Sequence, residues 1–177
     1  MKKIGLTVLM VIAFMLIYFL QAHFFTNITI AGIKPNLIVI FVLFIGLYSN
    51  AIYGTVSGIL VGLFLDCIYG KCIGVSAVML CAIGFLGAYF DKNFSKESRL
   101  TIMLMAIGAT AIFEAGYYLL SAVILNFDMQ VIEFIKMLLL ELLYNTLLTL
   151  ILYPIIQKLG YILEENFKKT NILTRYF

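Results

Sequence analysis

Apolar residues fall in long runs broken by short polar stretches, with neither the strict alternation of strands nor the single stripe of a soluble amphipathic helix. The first run, Ile4 to Leu20, follows Lys2 and Lys3, the layout of a signal peptide or of a first membrane helix. Its length favours the helix. About 17–20 apolar residues cross a bilayer, against about 7–15 in a signal peptide, and the exit Leu20-Gln21-Ala22 lacks a small residue at the minus-three position. Further runs extend from Ile73 to Phe90, from Leu100 to Leu125 and from Val131 to Ile156.

The stretch from Leu37 to Leu65 is harder to divide. As one helix its 29 residues would be about 43 Å long, well beyond a hydrocarbon core of about 30 Å. Charge placement chooses between five spans and six, because Lys and Arg collect in cytoplasmic loops. Six spans with the N-terminus inside place Lys2, Lys3, Lys92, Lys96, Arg99, Lys158, Lys168, Lys169 and Arg175 on the cytoplasmic side. Only Lys34 and Lys71 then lie outside, with Lys136 just inside the last span. Five spans reverse the bias to three inside against eight outside. The pattern therefore predicts six spans, with a tight turn at Ser49-Asn50 between two short helices, Asn36 to Tyr48 and Ala51 to Asp66, partly buried in a compact bundle. Beyond this six-helix membrane domain, 1–157, the segment 158–177 puts Leu159, Ile162, Leu163 and Phe167 on one face and reads as an amphipathic cytoplasmic tail.

Composition agrees: 64% of the 177 residues are apolar and 12% charged, so the chain is a membrane protein with all-α architecture. The net charge of +3 is spread between the runs and forms no nucleic-acid patch. Cys67, Cys72 and Cys81 have no metal-site spacing and read as small apolar residues, while the single His23 lies at the exit of the first helix. No nucleophile has a base nearby in sequence, and no catalytic residue, metal site or cofactor is expected.

The strongest local pattern is a four-residue ladder: Gly54, Gly58, Gly62, Asp66, Gly70, Gly74. Its first three glycines share a helix face that admits a second backbone, either a sister helix or a partner protein's helix. Gly70 and Gly74 fall beyond the helix and shape the outer turn. Asp66 closes the helix where a carboxylate opposes the macrodipole, and so calls for Lys71, a backbone donor, a partner or water. Glu114 and Glu141 each lie inside an apolar run at similar depth, where adjacent helices would let them meet with Tyr117, Tyr144 and Asn145 as hydrogen-bond partners and one carboxyl protonated. Structural roles, partner contact and ion transport all remain open for this pair.

The run Pro35-Asn36-Leu37, then Gly54, the element Gly58-Ile59-Leu60-Val61-Gly62-Leu63-Phe64-Leu65-Asp66, and Gly70 and Gly74 together resemble the rod shape-determining protein MreD family. Asn36 stands where many members carry Asp. The resemblance implies a non-enzymatic scaffold of the bacterial inner membrane that binds MreC and, through it, associates with MreB, RodA and a class B penicillin-binding protein in peptidoglycan synthesis. It implies a fold similar to the substrate-binding subunits of energy-coupling-factor transporters, and such a vitamin-binding subunit is the alternative reading. Against that alternative, Ala13 is followed four residues later by Ile17, where those subunits typically carry a second Ala.

Overall fold

The structure, a computed structural model, describes residues 2–30, 32–69, 72–94, 96, 98–126, 128 and 130–168. Among them the chain forms helices α1 (Lys2–Phe19), α2 (Leu37–Tyr48), α3 (Ala51–Tyr69), α4 (Val75–Asn93), α5 (Arg99–Leu125) and α6 (Val131–Phe167). A π-helical turn, Leu20–Phe24, and a short coda, Phe25–Asn27, prolong α1. Five of these segments are long and apolar enough to cross a membrane; α2, with 12 residues, is not.

This departs from the expected pair of short helices. α3 continues past Asp66 to Tyr69 and reaches 19 residues, so only α2 is short. The shortness of α2 has a local cause at each end. At its start the Asn36 side chain accepts from Val39 N at 3.4 Å, and Asn36 N donates to Asn145 Oδ1 at 2.8 Å, so the helix begins against protein groups rather than at the lipid surface. At its other end Ser49 N and Ser49 Oγ both donate to the Ile45 carbonyl. Asn50 Oδ1 then accepts from Tyr53 N at 3.0 Å and opens α3, which makes the Ser49-Asn50 turn an end cap followed directly by a start cap.

α2 occupies the centre of the bundle. It packs against α3, α4, α5, α6 and the edge of α1, and Ile38, Val39, Val42, Leu43, Leu47 and Tyr48 are each less than 2% exposed. Burial on all sides explains why its sequence shows no polar face: a helix surrounded by other helices has no water to meet. α6 runs without a break through Pro154 for 37 residues, about 55 Å. The division placed at 157/158 therefore falls inside one helix, whose last turns stay on the bundle through Phe167, packed on Tyr53 at 4.5 Å between ring centroids. Residues 169–177 lie outside the described residues.

Candidate functional site

The glycine ladder joins α3 to α4. A Cβ on Gly58 would meet the Leu80 carbonyl and Cys81 N, one on Gly62 the backbone of Ser76 and Ala77, and one on Gly54 the Gly84 carbonyl. Of the two occupants left open for this face, the sister helix is the one in contact. Gly84 returns the contact to Gly54, while Gly46 and Gly87 bring α2 and α4 together at the same crossing. These last three were missed from sequence, although the Gly84-x-x-Gly87 spacing was available as a signal for close approach.

Asp66 completes the join. It is buried, and its carboxylate accepts from Gly74 N at 2.8 Å, Ser76 N at 3.2 Å and Ala77 N at 3.2 Å, so it caps the first turn of α4 from the end of α3. The misfit of an acid at one helix C-terminus is offset by its fit at the next N-terminus, where unpaired amides and the dipole favour negative charge. Gly74 sits at φ +101°, a left-handed conformation that bends the chain into this cap. Lys71 and Gly70 lie outside the described residues.

A second polar cluster ties the start of α2 to α5 and α6. Asn36 Nδ2 donates to Glu114 Oε1 at 3.2 Å, and the Glu141 carboxyl lies close enough to interact with both Glu114 and Asn36. The two membrane carboxyls therefore meet. The remaining expected partners are placed differently. Asn145 accepts from Asn36 N and donates to Thr110 Oγ1 at 3.1 Å, and Tyr144 Oη donates to the Ile28 carbonyl at 2.8 Å. Asn36, read from sequence only as part of the motif that opens α2, supplies the amide that serves Glu114.

Between the two clusters lies a cavity of about 210 Å³, lined on its polar side by Gln21, Asn36, Asp66, Tyr69, Ser76, Glu114 and Tyr117. Gln21 and Tyr69 carried no sequence signal, since their role depends on where the end of α1 meets the end of α3. Among the described residues no group of three or more His, Cys, Asp or Glu side chains is arranged to hold a metal, and all three cysteines are free.

The opposite end of the bundle is held by charge. Lys96 Nζ binds Asp91 at 2.7 Å and Glu164 at 2.5 Å, and lies 5.1 Å from the centre of the buried Tyr48 ring. Lys168 Nζ binds Asp91 at 2.7 Å and donates to the Leu47 carbonyl at 2.8 Å, which caps the C-terminus of α2. Burial works against both ammonium groups. At Lys96 the two carboxylates outweigh it and hold the pKa above the usual lysine value, whereas Lys168 ends below that value because burial prevails.

The chain matches the family model of the rod shape-determining protein MreD over residues 1–162. It belongs to the MreD family. Comparison with curated proteins and with solved structures gives no match, so the expected likeness to energy-coupling-factor subunits and the vitamin-transporter alternative gain no support. Membership makes this a membrane protein of rod-shape determination, in keeping with its five long apolar helices. The residues that carry the sequence resemblance, where the structure describes them, divide into two groups. Gly54, Gly58, Gly62, Asp66 and Gly74 build the α3–α4 join, while Asn36, with the buried Pro35 before it, opens the central helix.

Proposed function

We propose that this MreD-family protein is a non-enzymatic scaffold of the bacterial inner membrane. It binds MreC and thereby supports peptidoglycan synthesis by the wider complex of MreB, RodA and a class B penicillin-binding protein. The observation that carries this reading is the family match over residues 1–162. The geometry supports it through the use made of the polar groups inside the bundle, where Asp66, Asn36 and Asn145 each fasten one helix to another. In this reading Gly54, Gly58, Gly62 and Asp66 serve the MreC contact indirectly, by fixing the α3–α4 pair that a partner helix would meet.

The topology that goes with this function has six crossings and both termini in the cytoplasm, with α2 as the short central one. Its two ends support that reading. Asn36 at the start of α2 bonds to groups deep in α5 and α6, whereas Leu47 and Tyr48 at its end meet Lys96, Lys168 and Tyr161. Lysines collected at that second end support placing it on the cytoplasmic side.

Affinity purification of the tagged chain from its own membranes should recover MreC, and depletion of the chain should turn rods into spheres. Cells that stay rod-shaped after depletion, together with membranes that yield no MreC, would overturn the assignment.

A further inference from the structure

We propose that the cavity between Asp66 and Glu114 is a binding site for a primary ammonium group. This rests on the lining of the cavity and stands whether or not the chain binds MreC.

The lining offers acceptors in excess. Asp66 spends three hydrogen bonds on backbone amides, and a carboxylate has about four lone-pair positions, so one remains for a ligand. Glu114 Oε1 is reached by Asn36 alone among the amide donors that bond to it, and Gln21 Oε1 is buried without a hydrogen-bond partner. No Lys, Arg or His is among the described residues that line the cavity. The cavity also meets the last turn of α3, where the helix dipole favours a cation, and it carries the rings of Tyr69 and Tyr117, whose faces attract one. An anion would meet Asp66, whose carboxylate already takes up the amides at the start of α4. A divalent metal would want further carboxylates, and among the described residues no such group exists.

Size restricts the ligand further. At about 210 Å³ the cavity is smaller than the roughly 300–1,000 Å³ of pockets that hold drug-sized molecules, yet it has room for about seven waters. An ammonium on a short alkyl stem fits, with Ile38, Leu65, Leu80 and Phe113 against the stem and the acceptors around the head. That group can arrive as a free small amine or as a lysine of another membrane chain.

The test uses the full chain in nanodiscs with n-butylammonium as probe, read by thermal unfolding. A saturable rise in unfolding temperature is expected, with no such rise from n-butanol. Asp66→Asn and, as a variant outside the α4 cap, Gln21→Leu should each weaken the response about tenfold. An amine retained through purification names a free ligand, and a carbodiimide cross-link from Asp66 to a lysine of another chain names a presented side chain. No saturable response, an equal response to n-butanol, or an undiminished response in Gln21→Leu overturns the proposal.

Discussion

α1 and α2 are both almost wholly apolar, yet one is coated by lipid and the other by protein. Along α1 the side chains of Ile4, Val8, Ile12 and Leu16 are more than half exposed, whereas along α2 nearly every position is buried. Hydropathy registers only that water is avoided, and lipid tails and protein interiors avoid it alike. What separates the two helices is the rest of the bundle: backbone brought close by glycine, polar side chains that receive the ends of α2, and a lysine that caps it.

This contrast can be broken most forcefully at the glycines. Gly87→Leu would drive a side chain into the Leu43 carbonyl and Leu47 N of α2, and because backbone must move, the expected cost lies above about 3 kcal/mol, beyond the usual range for overpacking. A Cβ at Gly5 in α1 or at Gly108 in α5 meets nothing within 4 Å, so Gly5→Ala and Gly108→Ala should each stay within about 0.5 kcal/mol. Unfolding of the purified protein in detergent measures the difference, and equal effects at Gly87 and Gly5 would refute the central placement of α2.

Truncation of side chains sharpens the same comparison. Leu43→Ala, at a fully buried position, should cost about 2–4 kcal/mol, and Ile12→Ala, 60% exposed in α1, close to nothing. Asn145→Ala should cost about 1–3 kcal/mol, since it leaves Asn36 N at the start of α2 without its acceptor. Hydrogen exchange should then rise at the first turn of α2 and not in α1.

The smallest effect is expected at the charged end. Lys96→Met removes two ion pairs that are partly screened by solvent and should cost about 1 kcal/mol, whereas Lys168→Met should cost less, because burial already disfavours that ammonium. A reversed ranking in thermal unfolding would show that capping of α2 by Lys168 outweighs the Lys96 pairs.

Much of this was legible from residue to residue. The Ser49-Asn50 turn could be placed because small polar residues in an apolar run end and restart helices, and the ladder at Gly54, Gly58 and Gly62 because helical spacing puts small residues on one face. The meeting of Glu114 and Glu141 was accessible from rise per residue alone. The reach of α3 to Tyr69 was not, because Asp66 reads as a stop until its carboxylate is seen serving α4. Nor was the cavity, whose lining comes from α1, α2, α3, α4 and α5 and has no common spacing.

By itself the sequence determined residence in the membrane, the order of the apolar segments, the side on which lysines gather and the family. Each of these depends on local composition or on a contiguous motif. Only the tertiary structure decided that α2 is the buried centre, that the glycine face is taken by α4, and that Asp66, Asn36 and Glu114 surround one polar space. A backbone amide left unpaired away from water must find an acceptor wherever the fold supplies one, and which acceptor that is depends on packing between segments far apart in the chain.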